Sequence, residues 1–478
     1  MIGLAHIAAP VACAGLAILL MARSRVNRIA GLGYAAAGTA LLVASLRPPN
    51  AFELVVAVLG LPALGWVLSL AFRREPWLVA YLALATVPIR VHFLHHQLLV
   101  PLYIVASGAA FALLRELIAR DPRSREFGRA TKPLAFYLLW TGISVIWTSD
   151  IRTAAIDMLA FYIPLSIIAL SVARLPWQPL RLKILYVELA ALALVFSLVG
   201  FYQYDTRQIF ENPKVIVANS YAALFRVNSV FYDPSIYGRF LVVALVATAV
   251  VIVRGKSWRV SLAALAFTVV AFLGLLVSFS ESSFAALSVA VLCLLAFIWR
   301  LRVSRLVVVA LAVLLVAVGV AAEPKIAHTL CRRGHHGVNA LTSGRGSLMC
   351  TGLRIAKRHP VNGIGLGSFS RSYSKLTGRS LKASASHNTP ITIVAEGGMI
   401  GLALFLWLVI AFGLTAFRRI DSTLAGELGL AAGLILVAIF VHANSYADFF
   451  EDPTTWITFG LIALSATRRA AASAMIEP

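Results

Sequence analysis

About fifteen apolar segments, most of them roughly 17–25 residues long, recur along this chain, and short arginine-rich breaks separate them. They run near 2–22, 29–46, 54–72, 77–89, 98–114, 133–148, 155–173, 184–203, 239–253, 260–279, 284–299, 306–322, 390–416, 426–446 and 455–467. Residues of the hydrophobic class make up 60% of the 478 and charged residues only 13%. A soluble fold of this size cannot cover that much apolar surface with so few charges. The pattern therefore predicts an all-α, polytopic integral membrane protein with about 12–15 transmembrane helices, one or two of the short segments being half-spans or interfacial. The first segment lacks a basic start and an Ala-x-Ala-like cleavage site, so it reads as a retained span.

Basic clusters fall on every second connection: Arg23/Arg25/Arg28, Arg73/Arg74, 115–132, 174–183, 254–259, 300–305, Arg418/Arg419 and Arg468/Arg469. Alternating spans put all of them on one side, which the excess of Lys and Arg marks as cytoplasmic. That accounts for most of the net charge of +22, and no nucleic acid is expected as a partner. The expected layout is an N-terminal transmembrane block (1–203), an outer loop (204–238), further spans (239–321), a large basic outer loop (322–389) and a C-terminal transmembrane block (390–478).

The large outer loop departs from the charge pattern. It holds eleven cations from Lys325 to Lys382, among them Arg345 and Arg354, against the single acid Glu323. Such a concentration on the outer side calls for an anionic partner, either a ligand or the head groups of membrane lipids. Leu348, Met349, Leu353 and Ile355 interleave with Arg354, Lys357 and Arg358, a pattern for a short amphipathic helix that His359-Pro360 would end. Gly363-Ile-Gly-Leu-Gly367 follows, permissive backbone able to approach a ligand closely.

His387-Asn-Thr-Pro390 then enters an apolar span. Pro390 suits a first helical turn and Thr389 an N-cap, which places His387 just ahead of a helix N-terminus. The partial positive charge there favours anions and disfavours imidazolium, leaving a neutral ring able to accept a proton. The bland alternative for such a histidine is a polar cap. Glu396, a few residues into the span, needs a partner, because an unpaired carboxylate is costly in the membrane.

Cys13 and Cys293 fall inside apolar segments, whereas Cys331 and Cys350 share the large outer loop, where a disulfide is chemically reasonable. Cys331, His335, His336 and Cys350 could ligate zinc, but their spacing matches no standard finger, so no metal site is expected. His92, His95 and His96 read as an exposed cluster in a short outer connection. No Walker loop, Rossmann fingerprint or Gly-x-Ser-x-Gly elbow is present, and the outward-facing acids are few and scattered.

Four outer features remain together: Arg226 to Gly238 with Phe231, Asp233, Pro234 and Tyr237; Ser278-Phe-Ser-Glu281-Ser-Ser; Arg345 with Pro360, Gly363, Gly365 and Gly367; and the His387 stretch ending in Glu396 and Gly398-x-x-Gly401. In this order they resemble the O-antigen ligase family and its relatives, the Wzy-type polysaccharide polymerases and protein O-oligosaccharyltransferases, which are GT-C-like bacterial membrane glycosyltransferases. The resemblance covers roughly 204–460. It implies transfer of a glycan from undecaprenyl diphosphate to a glycan, lipid or protein acceptor hydroxyl, without metal or other cofactor. The reaction would run on the outer face of the bacterial cytoplasmic (inner) membrane, facing the periplasm or cell exterior.

Carried over by position, the resemblance makes His387 the catalytic base and Arg226 and Arg345 ligands of the donor diphosphate. Family members often carry Ser-Arg where this chain has Ser280-Glu281, so Arg354 is a candidate to compensate, and Glu281 a candidate to orient an acceptor hydroxyl or an arginine. Asp233 and Tyr237 read as structural, with a role toward the acceptor as the alternative. Ligation, polymerisation and protein glycosylation remain alternatives within the family. The rival from another class is a transporter of lipid-linked sugars, which would be expected to show internal repeats and broken or charged helices near the midplane; neither is evident.

Overall fold

The computed structural model describes residues 2–46, 55–93, 96–119, 127–210, 212–221, 224–255, 257–298, 345–378 and 385–467. The apolar segment near 306–322, Cys331, His335, His336, Arg379 and Lys382 lie outside the described residues.

The described chain is a bundle of helices: α1 (Ile2–Met21), α2 (Arg25–Ser45), α3 (Leu61–Arg74), α4 (Leu78–Ala85), α5 (Val100–Ala119), α6 (Thr131–Ser144), α7 (Ile151–Ala173), α8 (Pro179–Thr206) and α9 (Pro213–Tyr221). It continues with α10 (Pro234–Arg254), α11 (Trp258–Ser278), α12 (Glu281–Ile298), α13 (Arg345–Arg358), α14 (Phe369–Thr377), α15 (Thr389–Ala416), α16 (Leu424–His442) and α17 (Pro453–Ser465). Ten of these helices are long and apolar enough to cross a membrane, as expected of an all-α polytopic protein.

Two segments take short local forms. The segment near 77–89 gives only the eight residues of α4, because Pro88 cannot continue a helix and restricts Val87 before it. The histidines that follow lie in a hairpin, β1 (Val91–Phe93) paired antiparallel with β2 (His96–Leu98), with His92 opposite Gln97 and Phe93 opposite His96; His95 lies outside the described residues.

Aromatic rings pack the C-terminal helices together and against α6. Tyr137 stacks on Phe450 with ring centroids 4.6 Å apart, and Phe412 stacks on Phe459 at 4.0 Å. Phe449 and Phe450, on the connection between α16 and α17, are buried and in contact with Phe405. These rings fix the connection that faces His387.

Candidate active site around His387

His387 sits two residues before α15, next to its N-cap, in the left-handed backbone region, φ 61°. Asn388, not Thr389, is the N-cap: its side-chain oxygen accepts the backbone N–H of Ile391 at 2.9 Å. The reason is geometric, since Asn388 has the extended backbone an N-cap requires while Thr389 is already helical. Pro390 occupies the first turn as expected. Asn388 Nδ2 donates to the carbonyl of Asn444 at 2.9 Å, and the N–H of Thr389 donates to that of Ala443 at 2.9 Å. The buried Ser386 hydroxyl donates to the Asn388 carbonyl at 2.8 Å. The turn is thus clipped to the end of α16, with the half-buried imidazole held at 6.1 Å, ring to ring, from Tyr446.

The third feature packs onto the same helix start. α13 crosses α15 at Gly352, where a Cβ would lie 2.5 Å from Ile391 Cγ2 and 3.4 Å from Ser386 Cβ. Only a residue without a side chain permits that approach beside the histidine turn. Arg345 is the first residue of α13, two helical turns before Gly352 on the same register. Arg354 is exposed, and two residues on from Gly352 it lies on the opposite side of the helix. α13 ends at Arg358, just before His359-Pro360, as expected.

Glycines 363, 365 and 367 all take positive φ, and the loop they form binds a break in α15. The spanning helix was expected to be continuous; it is interrupted at Gly398 (φ 67°, ψ −170°). The groups freed by the break are met by the loop: Gly365 N–H donates to Glu396 O at 2.9 Å, Ile364 N–H to Ala395 O at 3.0 Å, and Met399 N–H to Pro360 O at 2.8 Å. Trp140 Nε1 donates to Gly397 O at 2.9 Å. The partner that Glu396 needs is likewise backbone, since its carboxylate accepts the Phe369 N–H at the start of α14 at 3.0 Å. The Gly-x-x-Gly run and its acid therefore anchor the basic segment to the helix that carries His387.

The first two features also meet. Arg226 Nε donates to the Ser278 carbonyl at 3.3 Å, and Val227 N–H donates to that of Val277 at 3.2 Å. Asn219 grips the backbone of Arg226 from both sides, accepting its N–H at 3.1 Å and donating to its carbonyl at 2.9 Å. Glu281 opens α12 and is exposed. Asp233 is the N-cap of α10, accepting the Ser235 N–H at 2.7 Å. Tyr237 is fully buried, its hydroxyl wedged where Cβ atoms on Gly200 and Gly274 would come within 2.7 and 2.9 Å. Cys350 is disulfide-bonded, whereas Cys13 and Cys293 carry free thiols.

A cluster that the sequence reading passed over joins the two halves of the site. Arg239, buried in α10, binds Asp452 Oδ2 through Nε at 2.7 Å and Asp448 through Nη1. The acids judged few and scattered are gathered instead, with Asp448, Glu451 and Asp452 on the same connection as Tyr446. Asp448 and Glu451 line a cavity of about 90 Å³ together with Glu396, Asp157, Thr389 and Thr392, directly beneath the histidine turn. Burial pushes the Asp448 carboxyl up to about 6, with Arg239 pulling it part of the way back. Burial raises the Tyr446 phenol well above its ordinary value, and Asp233 and Asp448 add to that. The available signal was three acids in five residues on the connection between α16 and α17.

Residues 266–406 match the O-antigen ligase family model. That segment carries the domain of the O-antigen ligase and Wzy-type family. The O-antigen ligase domain runs from α11 through the basic segment and the His387 turn into α15, and leaves Arg226 and the Asp448 cluster outside it. No curated protein matches the chain. The domain supports a membrane enzyme of the glycan-transferring type, with a lipid-linked glycan and an acceptor as its partners in general.

Proposed function

We propose that this chain transfers a glycan from a polyprenyl diphosphate, undecaprenyl diphosphate in the family it resembles, to an acceptor hydroxyl at the outer face of the bacterial cytoplasmic membrane. His387 takes the acceptor proton as the acceptor oxygen attacks the anomeric carbon. The bond from that carbon to the diphosphate breaks, and the anomeric centre inverts. A positioned base typically contributes about 10²–10⁴-fold to such a step. Arg226 and Arg345 bind the departing diphosphate, whose charge suits guanidinium forks. Arg354, exposed on the far side of α13, meets the donor's outer portion or lipid head groups. No metal is assigned a part.

The observation that carries this reading is the convergence on one helix start. The His387 turn and the helix opened by Arg345 meet there, and the glycine loop binds the same helix at its break, all inside the matched family segment. The test is reconstitution with a defined lipid-diphosphate glycan and candidate acceptors. His387→Ala should lose transfer by at least about 100-fold, while Arg226→Ala and Arg345→Ala should weaken donor use. Full transfer by His387→Ala would end the reading.

A further inference from the structure

A second cavity, of about 320 Å³, lies between the ends of α3, α5 and α7. It is on the membrane face opposite His387. The start of α7 abuts the glycine loop, where Thr148 Oγ1 donates to the Leu366 carbonyl at 2.6 Å. The 23 residues of α7 then carry the chain about 34 Å away, to Arg174.

Three arginines, Arg73, Arg115 and Arg174, line this cavity against one acid, Glu116. Glu116 is engaged by Arg174, Nε to Oε2 at 2.9 Å. Arg115 is held by its ring contact, the guanidinium lying 4.0 Å from the centroid of Trp66. Its Nη1 is buried and donates to nothing among the described residues, and the buried hydroxyl of Ser171, also on the lining, has no partner there either. Buried donors without acceptors are costly, the more so on a charged group. An oxyanion in the cavity would satisfy both. The remaining lining is apolar (Phe72, Val79, Leu113, Ile118, Leu175), and exposed Leu64, Val67 and Leu70 continue along α3 into the bilayer region.

We infer that this cavity binds the phosphate of an anionic phospholipid from the leaflet at that face, with an acyl chain lying along α3. A free phosphate would use the arginines but not the apolar walls. A lipid uses both, and an anionic one also answers the excess of positive charge. The site is independent of the transfer reaction proposed above and stands whether or not that reading does.

The test is native mass spectrometry of the full chain in detergent, titrated with phosphatidylglycerol, with phosphatidylcholine and with inorganic phosphate as competitor. Phosphatidylglycerol should be retained, and Arg115→Gln should weaken it roughly tenfold, about 1.4 kcal/mol. Ser171→Ala should weaken it by a smaller factor. Arg254→Gln, on the same face but outside the cavity, should bind as wild type does. Arg115→Lys, which keeps the charge and loses the fork, provides a milder variant should Arg115→Gln fail to fold, and should fall between the two. Equal retention of phosphatidylcholine, unchanged binding in the Arg115 and Ser171 variants, or displacement by equimolar inorganic phosphate would each overturn the assignment.

Discussion

Glu396 accepts the backbone N–H of Phe369 at 3.0 Å, so a carboxylate placed inside an apolar span is answered by the start of a helix outside that span. Removing it leaves the buried Phe369 N–H without that acceptor, a loss of about 1–3 kcal/mol. Glu396→Ala should therefore lower the thermal unfolding temperature in detergent. Glu396→Gln, which keeps one carbonyl oxygen, should fall between it and wild type. An alanine variant that melts with wild type would show that the contact does not hold the loop.

Two glycine positions separate conformational cost from crowding. Gly363 and Gly378 share the left-handed region, at φ 67° and 68°. A Cβ at Gly363 would stand 2.3 Å from the Glu396 carbonyl oxygen, whereas nothing lies within 4 Å of one at Gly378. Alanine at 378 should cost only the backbone strain, about 1–2 kcal/mol. Alanine at 363 should in addition push the loop off α15 and abolish transfer. Equal effects of the two on melting and on transfer would mean that the close packing of loop and helix is unimportant.

Asn388 positions the histidine turn through two separable bonds, accepting from Ile391 and donating to Asn444, each at 2.9 Å. Asn388→Asp keeps the cap and loses the donor; Asn388→Ala loses both, at about 1 kcal/mol for the cap alone. Transfer should fall in the order wild type, aspartate, alanine. The loss should lie in kcat more than in KM, because a turn that drifts misplaces the base without touching the sites that bind donor and acceptor. A pure KM effect would place Asn388 in substrate binding instead.

Local chemistry accounts for what was legible beforehand. Repeated apolar runs with arginine breaks made the helices readable, and His359-Pro360 and Pro390 marked a helix end and a helix start to within a residue. The break at Gly398 was not readable, because a Gly-Gly pair inside an apolar window looks like continuous helix until the loop at 360–365 comes to satisfy it. The acid cluster was hidden for a related reason. Arg239 and Asp448 are 209 residues apart, and the arginine lies within a span whose hydropathy alone gives no hint of a buried ion pair. The short α4 fits a half-span, and Pro88 limits its length.

The Arg239 cluster carries a pH signature. Asp448 lies outside the spanning helices, and burial raises its carboxyl from the ordinary 3.8 to about 6. Arg239 opposes that rise, while Asp452 and Asp233 reinforce it. The folded chain thus holds this proton more tightly than the unfolded one. The associated stabilisation is fully present below about pH 3.8 and is lost as the pH climbs through about 6. Thermal unfolding of the wild type should therefore shift downward by a few degrees between about pH 5 and pH 7. Asp448→Asn cannot titrate there and should make that part of the profile shallower while keeping an oxygen to face Arg239; the remaining slope belongs to Glu451, whose carboxyl burial raises to about 7. Parallel profiles for the two proteins would mean that Asp448 stays charged across the range, held down by Arg239 more strongly than burial raises it.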